Sequence, residues 1–234
     1  MAERPIFIPE KDAAGFVREM SFSIPWASGF APVQKKKNIA ALHDAAARKG
    51  FSPLLEVSTK SDVVAGQRLS AFHLKVQSEI GQISLECAYQ GSKVFQNGGP
   101  YTDLYEVDPR EAKRDLRLTN SGYLIRFEFE GTKFPLQPTS VFYDWLYLTA
   151  IYPHKDWLEW RIASEECTYV GFTDIEFNPN KSLNCQARSC ALFVSLLKSN
   201  LLDDAMRSPE TFIATMKEHA RPRIGKETER QLSL

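Results

Sequence analysis

ECAYQGSKVF, residues 86–95, is the most informative stretch of this sequence. Ser84 just before it is a suitable N-cap, and the turn residues 97–100 (NGGP) after it form a strong helix stop. The sequence therefore predicts a helix from about Leu85 to Gln96. Gly91 in the middle of a helix costs about 1 kcal/mol relative to Ala, which suggests that a neighbouring backbone packs closely there.

Three polar side chains form a narrow stripe on this predicted helix. At about 100° per residue, Gln90 lies roughly 40° and Lys93 roughly 20° from the direction of Glu86. One interpretation is a solvent-facing surface whose charges follow the helix dipole, which periodicity alone favours. The other is the polar wall of a binding site.

The rest of the chain predicts helices mixed with short strands. Strands are expected within residues 53–59, 69–76, 123–129 and 168–177. Helices are expected from about Gln34 to Arg48, from Asp108 to about Leu118, at 141–152, at 184–198 and from Ser208 onward. Because the two kinds of element are mixed, the fold class is α+β, a single mostly helical domain with a few short strands.

The chain divides into a central domain with two extensions. Residues 51–200 are expected to form the main domain. Residues 1–50 are expected to form an arm and one helix packed on it, and residues 201–234 are expected to form a C-terminal helix and tail. The apolar stretch 141–152 predicts a buried helix, and Asp144 within it requires a partner because a buried unpaired carboxylate is costly.

Composition excludes several classes of protein. Lys+Arg and Asp+Glu both number 29, so a strongly basic nucleic-acid coat protein is excluded, although a local basic groove is not. No apolar run is long enough to cross a bilayer, and the N-terminus lacks a signal-peptide pattern. The cysteines, Cys87, Cys167, Cys185 and Cys190, have neither zinc-ligand spacing nor the density of a disulfide framework. We expect buried thiols in a soluble cytoplasmic protein.

A second polar cluster follows the last predicted strand. Such a loop before a helix suits binding of hydroxyls or phosphates, and suits a turn with an N-cap equally well. There is no Walker loop, GxGxxG, GxSxG or HExxH, so an enzyme without metal or nucleotide cofactor, or a binding module, remains. The cluster consists of Asp174, Glu176, Asn178, Asn180, Asn184, Gln186 and Arg188.

Several motifs together resemble the NADAR family. LSAF (69–72), followed by Glu-x-x-Tyr-Gln-x-x-Lys at 86–93, resembles its LSNF motif and its following helix. Residues 143–145 (YDW) resemble its Asp-Trp helix. Asp174, with Asn184 ten positions later opening a helix, resembles its closing segment.

The resemblance is closer to one branch of the family. FQNGGPYTDLY, REAKRDLRL, FYDWLY and FTDIEFNPNKSLNCQARS are similar to antitoxin partners of guanine-modifying DarT toxins, which ADP-ribosylate DNA. The chain departs from the family at Ala71, where Asn is usual, and at Phe177-Asn178, where Trp-Gly is usual. These departures bear on substrate contacts more than on the fold.

The resemblance implies N-glycosidic chemistry at ribose C1. Glu86 and Asp174 are then the acid/base and charge-stabilising pair, and Lys93 either attacks C1 to form a Schiff base or pairs with Glu86 or a pyrophosphate. No metal or cofactor is implied. The expected substrate-binding residues are Ser58, Ser70, Gln90 and Asn184 through hydrogen bonds and Phe72, Tyr89 and Trp145 through stacking, each aromatic alternatively being a core residue.

Three functions follow from the sequence. The first is a glycohydrolase that removes ADP-ribose from guanine in DNA, as antitoxin to a DarT-type toxin. The second is an N-glycosidase of a small nucleotide metabolite, as in the riboflavin-pathway (YbiA-like) branch. The third is a non-catalytic antitoxin that binds a toxin. In the first case Lys35–Lys37 and the basic C-terminal tail are candidates for steering DNA.

Overall fold

A computed structural model describes residues 1–29, 31–164 and 169–220. The strands are β1 Ala2–Pro9, β2 Val17–Ile24, β3 Leu54–Glu56, β4 Lys75–Ser78, β5 Gly81–Ser84, β6 Lys93–Phe95, β7 Leu124–Phe129, β8 Thr132–Phe134 and β9 Gly171–Thr173. The helices are α1 Pro32–Ala47, α2 Val64–Arg68, α3 Leu85–Gly91, α4 Pro109–Arg114, α5 Arg117–Asn120, α6 Val141–Ile151, α7 Lys155–Leu158, α8 Gln186–Lys198, α9 Leu202–Ala205 and α10 Pro209–Glu218. The fold is α+β and mostly helical, as predicted.

The largest sheet joins distant parts of the chain. Its strand order is β2-β1-β9-β3, with β3 and β9 parallel and the other pairs antiparallel. The prediction of an arm for the first residues missed the β1–β2 hairpin. Ile6 and Ile8 of β1 pack beneath α1, whereas Phe7 faces the main core, so the strand is buried on both faces and shows no alternation.

Helices α6 and α8 form the centre of the main core. Nearly every residue of α6 is buried, as its apolar sequence predicted. Asp144 has the partner it requires: Arg188 Nη1 and Ser189 Oγ each donate to its carboxylate at 2.6 Å, and Ser140 Oγ donates at 2.9 Å. A hydrogen-bonded ion pair thus joins the two helices.

Helix α3 ends earlier than predicted. Ser84 caps it as expected, accepting a bond from the Cys87 amide at 3.1 Å, but the helix stops at Gly91. A Cβ at Gly91 would lie 2.8 Å from the Tyr101 carbonyl oxygen, which confirms the expected close backbone, and 2.5 Å from the Tyr105 ring. The chain then turns into β6, which pairs with β7, so Lys93 lies on a strand and its predicted place on the helical stripe is wrong.

Other element boundaries also differ from the predictions. Residues 69–74 form a turn rather than a strand, with the His73 amide bonded to the Ser70 carbonyl at 2.8 Å. The predicted helix from Asp108 to Leu118 is divided into α4 and α5 around Asp115, whose carboxylate accepts a bond from the Arg117 amide at 2.8 Å.

The predicted burial of the cysteines is confirmed at Cys87, Cys185 and Cys190, whereas Cys167 lies outside the described residues.

The alternation predicted for residues 123–129 is confirmed in β7 only for its second half: Phe127 and Phe129 are buried, and Tyr123 and Ile125 are exposed. Within the described ranges no helix is long and apolar enough to cross a membrane.

Candidate active site

A cavity of about 520 Å³ opens between α3, the ends of β3 and β9, and the start of α6. Parallel strands direct their carboxyl ends to one edge of a sheet, so Ser58 after β3 and Asp174 after β9 meet there. All predicted site residues except Trp145 line this cavity: Glu86, Lys93, Asp174, Ser58, Ser70, Phe72, Tyr89, Gln90 and Asn184.

Helix α3 presents a carboxylate and a carboxamide to the cavity. Gln90 Nε2 donates to Glu86 Oε1 at 2.8 Å, and Lys113 Nζ lies 3.8 Å from the same oxygen. Gln90 Oε1 is buried without a hydrogen-bond partner among the described residues, as is Ser70 Oγ. An unpartnered buried polar atom costs about 1–3 kcal/mol, so both atoms favour a polar ligand in the cavity.

Lys93 brings an amine to the same cavity from β6. Its Nζ lies 5.0 Å from the centre of the Tyr89 ring and makes no hydrogen bond or ion pair with any residue of the described ranges. Burial lowers the pKa of Lys93 to about 8, an effect that the nearby Glu86 charge partly opposes. A substantial fraction of the amine is therefore neutral and nucleophilic near pH 7 to 8.

Asp174 faces the cavity from the other side, beside a second buried carboxyl group. Burial and then the neighbouring charge of Glu56 raise the pKa of Asp174 to about 8. The Glu176 amide donates to Asp174 Oδ1 at 3.0 Å, and the Gln186 side chain also bonds to it. Asp174 is thus mainly protonated at pH 7, a state in which it can donate a proton.

Sequence reasoning did not select Glu56. In the sequence, Glu56 is the single acidic residue of the otherwise apolar stretch PLLEV (53–57). This pattern indicates a functional carboxyl group only once the strand is known to be buried, because a buried carboxylate is costly. Lys113, at the opening of the cavity, was also not selected, because its sequence context is an exposed helix.

The sequence profile of DarT1-associated NADAR antitoxins matches residues 2–225 of this chain. The chain belongs to this family. The match confirms the resemblance identified from the motifs, and it includes the β1–β2 hairpin and α1 as well as the region that carries those motifs. Comparison with curated protein sequences gives no match.

The aromatic residues of this NADAR antitoxin divide between cavity and core. Phe72 is 60% exposed at the cavity opening, and the Tyr89 hydroxyl accepts a bond from Asn184 Nδ2 at 2.6 Å. The predicted stacking role of Trp145 is not supported by its position. Its ring packs 4.9 Å from that of Phe134 and does not line the cavity, because α6 directs it into an aromatic cluster.

The basic triplet at the start of α1 is largely neutralised in the NADAR antitoxin. Lys35 pairs with Glu176 at 3.1 Å, and Lys36 pairs with Asp62. The predicted basic tail beyond residue 220 lies outside the described residues. At the cavity opening the exposed cations are Lys113 and Lys181.

Proposed function

We propose that this NADAR antitoxin is a glycohydrolase that removes ADP-ribose from guanine bases in DNA and so reverses the modification made by a DarT-type toxin. The observation that carries the proposal is that Glu86, Lys93 and Asp174 line one cavity. Its volume of about 520 Å³ lies in the range of roughly 300–1,000 Å³ found for small-molecule sites.

The reaction needs a proton on the leaving guanine nitrogen and stabilisation of positive charge at ribose C1. Asp174, protonated near neutral pH, is suited to supply the proton. Glu86 accepts a hydrogen bond from Gln90, which orients its carboxylate toward the charge that develops at C1.

Lys93 provides a covalent route. When the ribose ring opens, the ring oxygen takes a proton, the guanine N–H gives one up, and C1 becomes an imine of the guanine nitrogen. The neutral Lys93 amine adds to C1, and guanine leaves as its free amine with a proton from Asp174. Water then hydrolyses the protonated Lys93 imine, and the proton returns to Asp174, so the net reaction consumes one water, restores the unmodified guanine in the DNA and releases ADP-ribose.

The remaining lining residues match the parts of this substrate. Ser70 Oγ and Gln90 Oε1, which have no hydrogen-bond partner in the described part of the chain, would bind ribose hydroxyls together with Ser58 and Asn184. Phe72 offers a ring face to a base, whereas the Tyr89 ring packs 5.3 Å from that of Phe127 and contributes its hydroxyl, bonded to Asn184, to the cavity wall. Lys113 and Lys181 offer cations to the pyrophosphate. The proposed reaction uses neither a metal nor a cofactor.

The test is incubation with an oligonucleotide ADP-ribosylated on guanine, with free ADP-ribose measured by mass spectrometry. We expect release by the native protein and a loss of at least about 10³-fold in both Lys93→Ala and Lys93→Arg. Lys155→Ala is the matched control, because it removes a lysine that is ion-paired with Asp203 and does not line the cavity. Near-normal turnover in both Lys93 variants would exclude this residue from the chemistry.

Two further outcomes separate the alternatives. Cleavage of a modified mononucleotide but not of the oligonucleotide would indicate a glycosidase of small metabolites. Full protection of cells against a DarT-type toxin by folded Glu86→Gln, which lacks the charged carboxylate, would indicate neutralisation by binding. Either result would contradict the proposed reaction on DNA.

A further inference from the structure

Glu56 is a buried carboxyl group behind the cavity. It is 3% exposed and does not line the cavity itself. It ends β3, and its register partner in the parallel strand β9 is Thr173, the residue before Asp174. Glu56 therefore contacts the site only through other residues.

Three donors hold the Glu56 carboxylate. Thr173 Oγ1 donates to Oε2 at 2.6 Å, and the Ile175 amide donates to Oε1 at 2.9 Å. These two residues flank Asp174 on both sides, so the bonds fix the backbone that carries it. The Ser58 hydroxyl, on the cavity wall, also donates to Oε1, at 2.7 Å. Three hydrogen bonds stabilise the charged form of a carboxylate.

Building on the proposed function, we propose that Glu56 is a positioning residue: its ionised carboxylate fixes Asp174 and Ser58 and, by charge repulsion, keeps the proton on Asp174. Asp174 receives fewer fixed donors and faces the cavity, so it is the member of the pair that holds the shared proton. Burial raises the pKa of both groups, that of Glu56 to about 7 and that of Asp174 to about 8.

No neighbouring group in the part of the chain that the structure describes supplies a positive charge that would offset the negative charge shared by Glu56 and Asp174. Glu176 adds a further negative charge, but it is ion-paired with Lys35. From α1, His43 Nε2 lies 2.9 Å from Thr173 Oγ1, and burial lowers the pKa of His43, so it is neutral at pH 7. Burial raises the pKa of Cys185 and of Tyr143, which remain neutral as well. Among the described residues no lysine or arginine pairs with Glu56 or Asp174.

The test is a titration that needs no substrate. Carboxyl carbons of ¹³C-labelled aspartate are followed by NMR as a function of pH in the native protein and in Glu56→Gln, and Asp174→Asn identifies the Asp174 signal. We expect the Asp174 midpoint to fall by at least about one pH unit in Glu56→Gln, a tenfold loss of proton affinity. The matched control is Glu176→Gln, whose carboxylate is exposed and already paired, and whose effect on the midpoint should be much smaller.

An unchanged Asp174 midpoint in folded Glu56→Gln, or a native midpoint at the ordinary aspartate value, would overturn the inference. If Glu56→Gln does not fold, Thr173→Val removes one donor from the Glu56 carboxylate and should lower the Asp174 midpoint by a smaller amount; no change there would overturn the inference too. The pH optimum for ADP-ribose release should also move to lower pH in Glu56→Gln. If the native protein releases no ADP-ribose, the proposed function fails, while the titration still decides the role of Glu56.

Discussion

Two buried aspartates of this protein have opposite surroundings. Asp144 is 1% exposed and is held by the Arg188 guanidinium and two serine hydroxyls. Asp174 is 8% exposed, borders an open cavity and has another carboxyl group, that of Glu56, as its neighbour. Both lie in stretches that resemble family motifs, yet of the two only Asp174 lines the cavity.

The difference shows that burial alone does not make a functional carboxyl group. A buried charge with a cation and full hydrogen bonding stabilises the native packing once formed, and removing its partner is costly. A buried carboxyl beside a second carboxyl is kept protonated at the expense of stability, which is useful only where a proton is to be delivered. The sign of the neighbouring charge therefore separates the two roles.

The largest expected effect is on catalysis. Asp174→Asn should lower ADP-ribose release at pH 7 by about 10²–10⁴-fold, because the proton donor is lost. Asp144→Asn should leave the rate per folded molecule within about threefold of native, because Asp144 does not line the cavity. Single-turnover assays normalised to folded protein measure both, and equal losses in the two variants would refute the distinction.

The second effect concerns stability, and here the substitution of Asp144 should have the larger effect and that of Asp174 the smaller. Asp144→Asn should lower the free energy of unfolding by about 2–3 kcal/mol, because the partly buried Arg188 loses its ion-pair partner and the charge-assisted hydrogen bonds to the buried carboxylate are lost. Asp174→Asn should not destabilise the protein at pH 7. Urea unfolding followed by fluorescence distinguishes the two, and an Asp144→Asn variant as stable as native would contradict the structural role.

The third effect is the pH dependence of stability. The pKa of Asp174 is raised on folding from 3.8 to about 8, so the unfolded chain loses this proton first and native stability falls as pH rises from about 4 to 8. Asp174→Asn removes this loss. Relative to native, it should gain several kcal/mol at pH 8.5 and little at pH 4. Thermal unfolding at both values measures the gain, and a gain that is larger at pH 4 would have the wrong sign.

The smallest effect tests the aromatic residues. Trp145→Phe should cost about 1 kcal/mol of stability through looser packing against Phe134 and leave turnover unchanged. Tyr89→Phe, which loses the bond to Asn184 inside the cavity, should affect substrate binding instead. A change in KM in Trp145→Phe, measured beside Tyr89→Phe, would restore the binding role predicted from sequence.

The predictable parts of the molecule are those set by local pattern. The apolar run of α6 fixed its burial, and the rule that a buried carboxylate needs a partner predicted one for Asp144. The hairpin at the N-terminus escaped prediction because β1 is covered on both faces and shows no alternation.

The sequence selected most of the residues that line the cavity, but it did not predict how the fold brings them there. Lys93 was placed on a helix, yet it reaches the cavity from a strand, because the backbone from Lys93 onward pairs with β7. Glu56 could not be found from its neighbours in sequence. The role proposed for Glu56 depends on its hydrogen bond with Thr173, which is 117 residues away in the sequence and cannot be predicted from a local pattern.

The central claim is that C1 of the distal ribose meets Lys93 in this cavity, and reductive trapping tests it most directly. The protein is incubated with guanine-ADP-ribosylated oligonucleotide and cyanoborohydride, which reduces a lysine imine to a stable secondary amine, and the modified peptide is identified by mass spectrometry. We expect an ADP-ribose adduct on Lys93 in the native protein and none in Lys93→Arg. Release of ADP-ribose without any adduct, or an adduct on Lys113 or Lys181 instead, would contradict the claim.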